Sequence, residues 1–267
     1  MYLNSFWGGE IVFSQFLLIL WFLCSQPVGV VFYEKTKESL KGPVGEAFTD
    51  RPNPPAPFLE YPKAPKIELP NPKPTSMTLF EALMQRRSKR SYTSDSLTLE
   101  ELSALLFAAQ GVTKRRGKLL FRTAPSAGAL YPIELFIAVK RVKGLKPGLY
   151  HYSVRDHVLE FIREDGKIID KLYRSALWQR AVKDAAAVII ISAIVNRTRS
   201  KYGERGWRYV YMEAGHVSQN IYLMATALQL GTVAIGAFAD DEVNSLLGLN
   251  GRDEITLYLQ PVGYPLH

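Results

Sequence analysis

The sequence predicts one globular domain that mixes α-helices with β-strands, set behind an apolar N-terminal run. Three observations carry that expectation. Thr78-Leu79-Phe80-Glu81 and Thr98-Leu99-Glu100-Glu101 are capping boxes, in which a Thr hydroxyl accepts the amide three residues on while the Glu reaches back, so each opens a helix. Ile133 to Val139 reads as a strand rich in β-formers, and Ala185 to Ala193 as an apolar run suited to a central strand buried on both faces. With 267 residues and 47% apolar content, the chain can bury a full core.

A net charge of +8 favours anionic partners without choosing among a phosphate cofactor, nucleic acid and anionic lipid. No aromatic RNA-binding signature and no zinc-type spacing is present, so nucleic acid is not expected. A single cysteine, Cys24, excludes an intrachain disulfide and a CxxC redox pair. His151, His157, His216 and His267 are too scattered to suggest a metal site. Any redox chemistry must then come from a bound organic cofactor.

Residues 1–10 read as a leader and 11–32 as a transmembrane anchor, because the latter run is largely apolar and has the roughly 20 residues that span a bilayer. A cleaved signal peptide is the rival, but no Lys or Arg precedes Lys35 to form its basic start. Lys35, Lys37 and Lys41 place the domain that follows in the cytoplasm under the positive-inside rule. Pro27 to Pro74 holds eleven of the sixteen prolines, so residues 33–76 read as a stiff tether and 77–267 as the functional domain.

Within that domain, the helix from Leu79 to Gln85 leads into Arg86-Arg87-Ser88-Lys89-Arg90 as extended chain. Alternate side chains there point the same way, which converges Arg86, Ser88 and Arg90. Two guanidinium forks and a hydroxyl suit a phosphate. A second helix carries Leu102, Leu105, Leu106 and Ala109 as an apolar stripe and stops at Gly111. Val112 to Arg122 reads as a mobile loop or short extended piece. Arg122 to Pro132 places small residues between two prolines, giving a rigid turn whose amides can approach a flat ligand.

Leu149 to Val154 and Val158 to Ile162 form a hairpin around Arg155-Asp156, in which His151 and His157 read as exposed or cross-strand residues. Ile168 to Ser175 is a helix. Asn196 to Gly206 reads as a polar loop, and Trp207 to Gln229 as a long helix whose Glu213, His216, Gln219 and Asn220 either line an interface or a site or, more commonly for such residues, lie exposed on its outer face. Thr232 to Phe238 reads as a strand in which Gly236 marks a close approach, Asp240 opens a short helix stopped by Gly248, and Glu254 to Pro265 closes the sheet.

Together Arg86 to Arg90, the Pro125–Pro132 turn, Ala234-Ile235-Gly236-Ala237-Phe238 and Leu257 to Pro265 resemble the nitroreductase family of FMN oxidoreductases. Pro-Ser-Ala-Gly-Ala-Leu-Tyr-Pro and Glu213 to Asn220 resemble its SagB/McbC-type branch, whose members oxidise azolines to azoles. The resemblance implies an α+β fold with a central mixed β-sheet flanked by helices, and a homodimer with two FMN sites at its interface. It implies that Arg86, Ser88 and Arg90 hold the FMN phosphate and ribityl chain, that Ser126, Ala127 and Gly128 touch the flavin from the partner subunit, and that the Ile235–Gly236 backbone faces the ring. The family's members often continue past the final Pro with basic residues that bind phosphate. This sequence ends at His267, which leaves that contact to Arg86–Arg90.

Lys201-Tyr202 matches in type and place the Lys-Tyr pair that removes a proton in azoline dehydrogenases. A lysine can serve so only if burial or nearby positive charge lowers its pKa, and Arg199 and Arg205 are close in sequence. The expected activity is an FMN-dependent transfer of hydride between flavin and a small or peptide-borne substrate. The rivals are a general NAD(P)H-dependent nitro or quinone reductase and, in another class, a flavin-free membrane-linked scaffold.

Overall fold

A computed structural model describes residues 27–39, 42–43 and 51–266, and the chain divides into two units at Asp50 and Arg51. In the first unit a helix runs over Val28–Lys35, ended by Thr36, whose hydroxyl donates to the Phe32 carbonyl at 2.6 Å. Glu38–Ser39 pairs with Gly42–Pro43 beyond it. The expected leader and most of the expected anchor, 1–26, lie outside the described residues. Among those described, no helix is long and apolar enough to cross a membrane.

The second unit is built on β1 (Lys66–Glu68), β4 (Ile133–Val139), β5 (Gly148–Ser153), β6 (Val158–Glu164), β7 (Ala187–Ile194), β8 (Gly231–Thr232) and β9 (Glu254–Gly263). They form one sheet in the order β8-β9-β7-β4-β5-β6-β1, and every neighbouring pair is antiparallel. The mixed sheet expected from the resemblance is therefore corrected. Among the described residues, parallel pairing occurs only as isolated bridges, Ser88 to Thr232 and Leu97 to Val142. A separate hairpin, β2 (Val112–Arg116) and β3 (Leu119–Arg122), forms where a mobile loop or short extended piece was expected.

Side chains alternate across a strand, so each buried strand feeds two cores. Leu135, Ile137, Ile189 and Ile191 pack on one face against α2 (Leu99–Gln110) and α6 (Gly206–Ala227). Phe136, Ala138, Val188 and Ile190 pack on the other against α3 (Ile168–Ser175), α4 (Arg180–Asp184) and α7 (Asp240–Leu247). The remaining helices are α1 (Leu79–Gln85) and α5 (Asn196–Tyr202). Both capping boxes form as expected, and Gly248 ends α7 at φ 74°.

The stretch from Arg51 belongs to this unit, where the sequence suggested a free tether through residue 76. Proline's missing N–H costs nothing on a sheet edge facing away from its neighbour, so a Pro-rich segment can still supply an outer strand. Here β1 pairs with β6, Leu69 is buried, and Ser103 donates to the Pro70 carbonyl at 2.5 Å. The Leu59 and Tyr61 amides donate to Glu134 and Glu160.

Those two carboxylates flank His151, the three lying on β4, β5 and β6 with side chains almost wholly buried. Nδ1 of His151 is 2.8 Å from Glu160 and Nε2 is 3.2 Å from Glu134. Only an imidazolium donates from both nitrogens at once. Burial alone would push His151 down, but hydrogen bonds and charge from both carboxylates outweigh it and raise its pKa above the ordinary value. Burial likewise works against Glu134, yet the His151 bond and the Arg197 charge hold it down at about 2.

Because 51–76 completes the sheet edge and caps this cluster, a chain beginning at Ser76 is expected to melt roughly 10 °C lower, at the roughly 2–4 °C per kcal/mol typical of this size. Differential scanning calorimetry of both forms checks it. The cluster also fixes a pH profile. A raised His pKa adds stability that is complete below the unfolded value of about 6.5 and disappears as pH climbs through the folded value. Glu134, held low, adds stability present above about 4.5 and lost as pH falls towards 2. Urea unfolding across pH should show an alkaline decline that His151→Gln removes.

Candidate functional site

Two groups of side chains sit on different faces of α6. The first begins where α1 ends. Arg87 donates to the Met84 carbonyl at 3.1 Å and the Arg86 carbonyl at 2.8 Å, pinning the helix terminus. The chain then runs extended beside β8, Lys89 donating its amide to the Thr232 carbonyl at 3.0 Å. The Arg86 guanidinium lies over the Tyr222 ring at 5.2 Å, and Ser88 Oγ is 3.0 Å from the Tyr222 hydroxyl. Arg90 lines a cleft of about 450 Å³ with Gln179, Arg180, Ile235 and Gly236.

Arg86 and Ser88 thus meet at Tyr222, while Arg90 lines the cleft with Ile235 and Gly236. Among the described residues no carboxylate pairs with Arg86, Arg87, Lys89 or Arg90. A cluster of cations without counter-charge fits an anionic group. Gly236 corrects one expectation, since it is exposed and lies outside β8. The nearest atom that an added Cβ would meet is in the Tyr258 ring at 3.7 Å. Its openness gives a flat ring room to lie against backbone.

The second group gathers at the Pro125–Pro132 turn. Ser126 Oγ accepts from the Tyr131 amide at 2.9 Å, and Gly128 takes φ 63°, the left-handed region that glycine enters without strain. The expected polar loop at Asn196–Gly206 is instead α5 followed by a 3-10 turn over Gly203–Arg205. Arg197 of α5 is buried and donates to Glu134 and the Tyr131 carbonyl through Nη1, at 2.5 and 3.0 Å, and to the Ala56 carbonyl through Nε at 2.8 Å.

Lys201 follows one helical turn later, on the same side of α5. A Cβ placed on Gly128 would lie 2.9 Å from the Tyr202 hydroxyl and 3.0 Å from Lys201 Nζ, so both tips stand over the turn. Arg199 and Arg205, expected to press on Lys201, engage other groups. Arg199 pairs with Glu204 and Asp253, and Arg205 donates to the Tyr209 hydroxyl at 2.9 Å.

Sequence reasoning left Glu213, His216, Gln219 and Asn220 between an interface or site and, more commonly, the exposed outer face of their helix. His216 and Gln219 are exposed there, but Glu213 is buried. Burial pushes its pKa up to about 7, against the opposing pull of the Ser126 hydroxyl and the Arg122 charge. Tyr222 was also missed, because its partner Ser88 lies 134 residues away.

A model of the nitroreductase family matches residues 83–264. A Methanocaldococcus jannaschii protein named for that family is 46% identical over 197 residues, covering 74% of this chain and 96% of its own length. The microcin B17-processing protein McbC of Escherichia coli is 30% identical over 149 residues, 53% of this chain and 54% of that protein. The crystal structure of a nitroreductase-family protein from Anabaena variabilis superposes with a TM-score of 0.70 at 32% identity, covering 88% of this chain and 47% of that one. This chain thus spans about half the length of McbC and of the Anabaena protein. The extended Arg-Ser-Arg segment beside β8, the antiparallel sheet between helical layers and the matched span agree: the chain belongs to the nitroreductase family of oxidoreductases.

Proposed function

We propose that this protein is an FMN-dependent oxidoreductase acting as a homodimer, of the type that removes hydride from a small or peptide-borne substrate. The observation that carries it is the meeting of Arg86 and Ser88 at Tyr222, with Arg90 lining the cleft beside the open Gly236 and, among the described residues, no carboxylate paired to any of the three. Arg86, Ser88 and Arg90 would hold the phosphate and ribityl chain, while Ile235 and Gly236 offer backbone to the ring. Bound FMN would supply the hydride chemistry itself.

Geometry supports a second copy. Glu213 and Tyr222 are nine residues apart on α6, which is half a turn off and about 13 Å along the axis. One chain therefore turns the Ser126–Gly128 group away from the Arg86–Arg90 group, and a partner would bring the two together. Leu79, Phe80, Leu83 and Met84 of α1 and Tyr211 and Met212 of α6 expose apolar surface of the kind such pairing covers.

Lys201 Nζ and the Tyr202 hydroxyl, both close over Gly128, are the pair that would take a proton from a substrate lying on that turn, a role that requires the flavin, substrate or partner subunit to bury Lys201, which is exposed in the single chain. This favours the dehydrogenase over a general NAD(P)H-dependent nitro or quinone reductase, which needs no such base. The kinship with McbC, a microcin B17-processing protein, supports the same choice.

Purified full-length protein is expected to be yellow, with absorbance on the order of 450 nm from the flavin. Colourless protein that cannot be reconstituted with FMN favours the flavin-free scaffold. Lys201→Ala should abolish base-assisted dehydrogenation while sparing NAD(P)H-driven flavin reduction, and survival of both activities removes Lys201 from the mechanism. Gly128→Ala should cost only about 1 kcal/mol of stability, the scale of a left-handed residue, because the atoms its methyl meets are flexible tips. By displacing those tips it should lose dehydrogenation as Lys201→Ala does.

A further inference from the structure

The structure assigns Tyr222 as a positioning residue whose hydroxyl aims that of Ser88 at the bound phosphate and ties it to the ring-facing segment. The Ala234 amide donates to the Tyr222 hydroxyl at 2.8 Å. A phenol oxygen that accepts there keeps its own proton to donate, and the atom within reach is Ser88 Oγ at 3.0 Å. Ser88 Oγ then accepts, and its own proton points outward to an anion.

The result is a directed relay, Ala234 N–H to Tyr222 O–H to Ser88 O–H, in which each bond polarises the next. The same ring lies under Arg86 at 5.2 Å, so one side chain of α6 fixes both a hydroxyl and a guanidinium of the anion site. Tyr222 itself is half-buried. Through Ala234 it also reaches the residue next to Ile235, which links the phosphate end to the ring end.

This rests on the reading that Ser88 contacts the FMN phosphate. The test uses full-length protein stripped of flavin, and fluorescence titration gives the FMN dissociation constant. Tyr222→Phe keeps the ring under Arg86 and removes only the hydroxyl. It is expected to weaken FMN about ten-fold, the scale of one hydrogen bond to a charged group. Ser88→Ala should weaken it similarly, and the double variant should be little worse than either, because both cut one relay. Strictly additive losses, or no loss in Tyr222→Phe, overturn the assignment.

A readout independent of flavin keeps the question open to an answer should Tyr222→Phe not fold. In Ser88→Ala the Ala234 amide resonance should shift, although Ala234 does not touch Ser88. An unmoved Ala234 amide sinks the relay. A wild-type protein that shows the shift but binds no FMN keeps the relay and removes the phosphate reading instead.

Discussion

Arg197 and Glu134 can be buried only together, and that constraint sets the geometry of half the site. A lone charge at this depth would leave its partner uncompensated, at about 3–5 kcal/mol. Arg197 answers Glu134, the Tyr131 carbonyl and the Ala56 carbonyl, so one side chain joins the sheet, the glycine turn and the segment before β1. With α5 fixed by that contact, Lys201 and Tyr202 stand where they meet Gly128. His151 extends the same network to Glu160, so charge is balanced across three adjacent strands.

The long helix α6 works as the opposite kind of element, a divider. Its buried Val210, Ala214, Val217, Ile221 and Ala225 fasten it to the sheet at helical spacing. Off that stripe, Glu213 lies buried beneath the glycine turn and Tyr222 meets the cationic segment. Packing that seats one helix therefore positions both groups at once, and the pitch of the helix keeps them apart within a chain.

What the sequence revealed was local. Capping boxes lie within four residues, and β4 and β7 announce themselves by their wealth of β-formers and largely apolar character, because both their faces are covered. Alternation offered Arg86, Ser88 and Arg90 as one group, since a period of two needs no tertiary information, and the structure joins Arg86 and Ser88 at Tyr222. What stayed hidden depended on distant partners. Arg197 looked like part of a polar loop because Glu134 is 63 residues away. Glu213 read as either site or solvent-facing because helical spacing shows which side a residue takes, not what covers it. Residues 51–76 read as a tether because proline content reports stiffness, and a stiff extended segment serves equally well as an edge strand.

Two ways of handling charge now separate scaffold from binding surface. In the sheet every buried ionic group has a partner, as desolvation demands: Arg197 with Glu134, and His151 between Glu134 and Glu160. At the end of α1 the rule is inverted, with Arg86, Arg87, Lys89 and Arg90 packed into five residues and, among the described residues, no acid paired to them. Solvent screening makes that repulsion tolerable, but folding gains nothing from it. Helix termination explains Arg87, which caps the carbonyls of α1. It leaves Arg86 and Arg90 unexplained, each directed instead at Tyr222 and the Ile235–Gly236 cleft. Cations without a paired acid among the described residues, one of them stacked on a tyrosine that the fold supplies, support the proposal of a surface shaped for an anion.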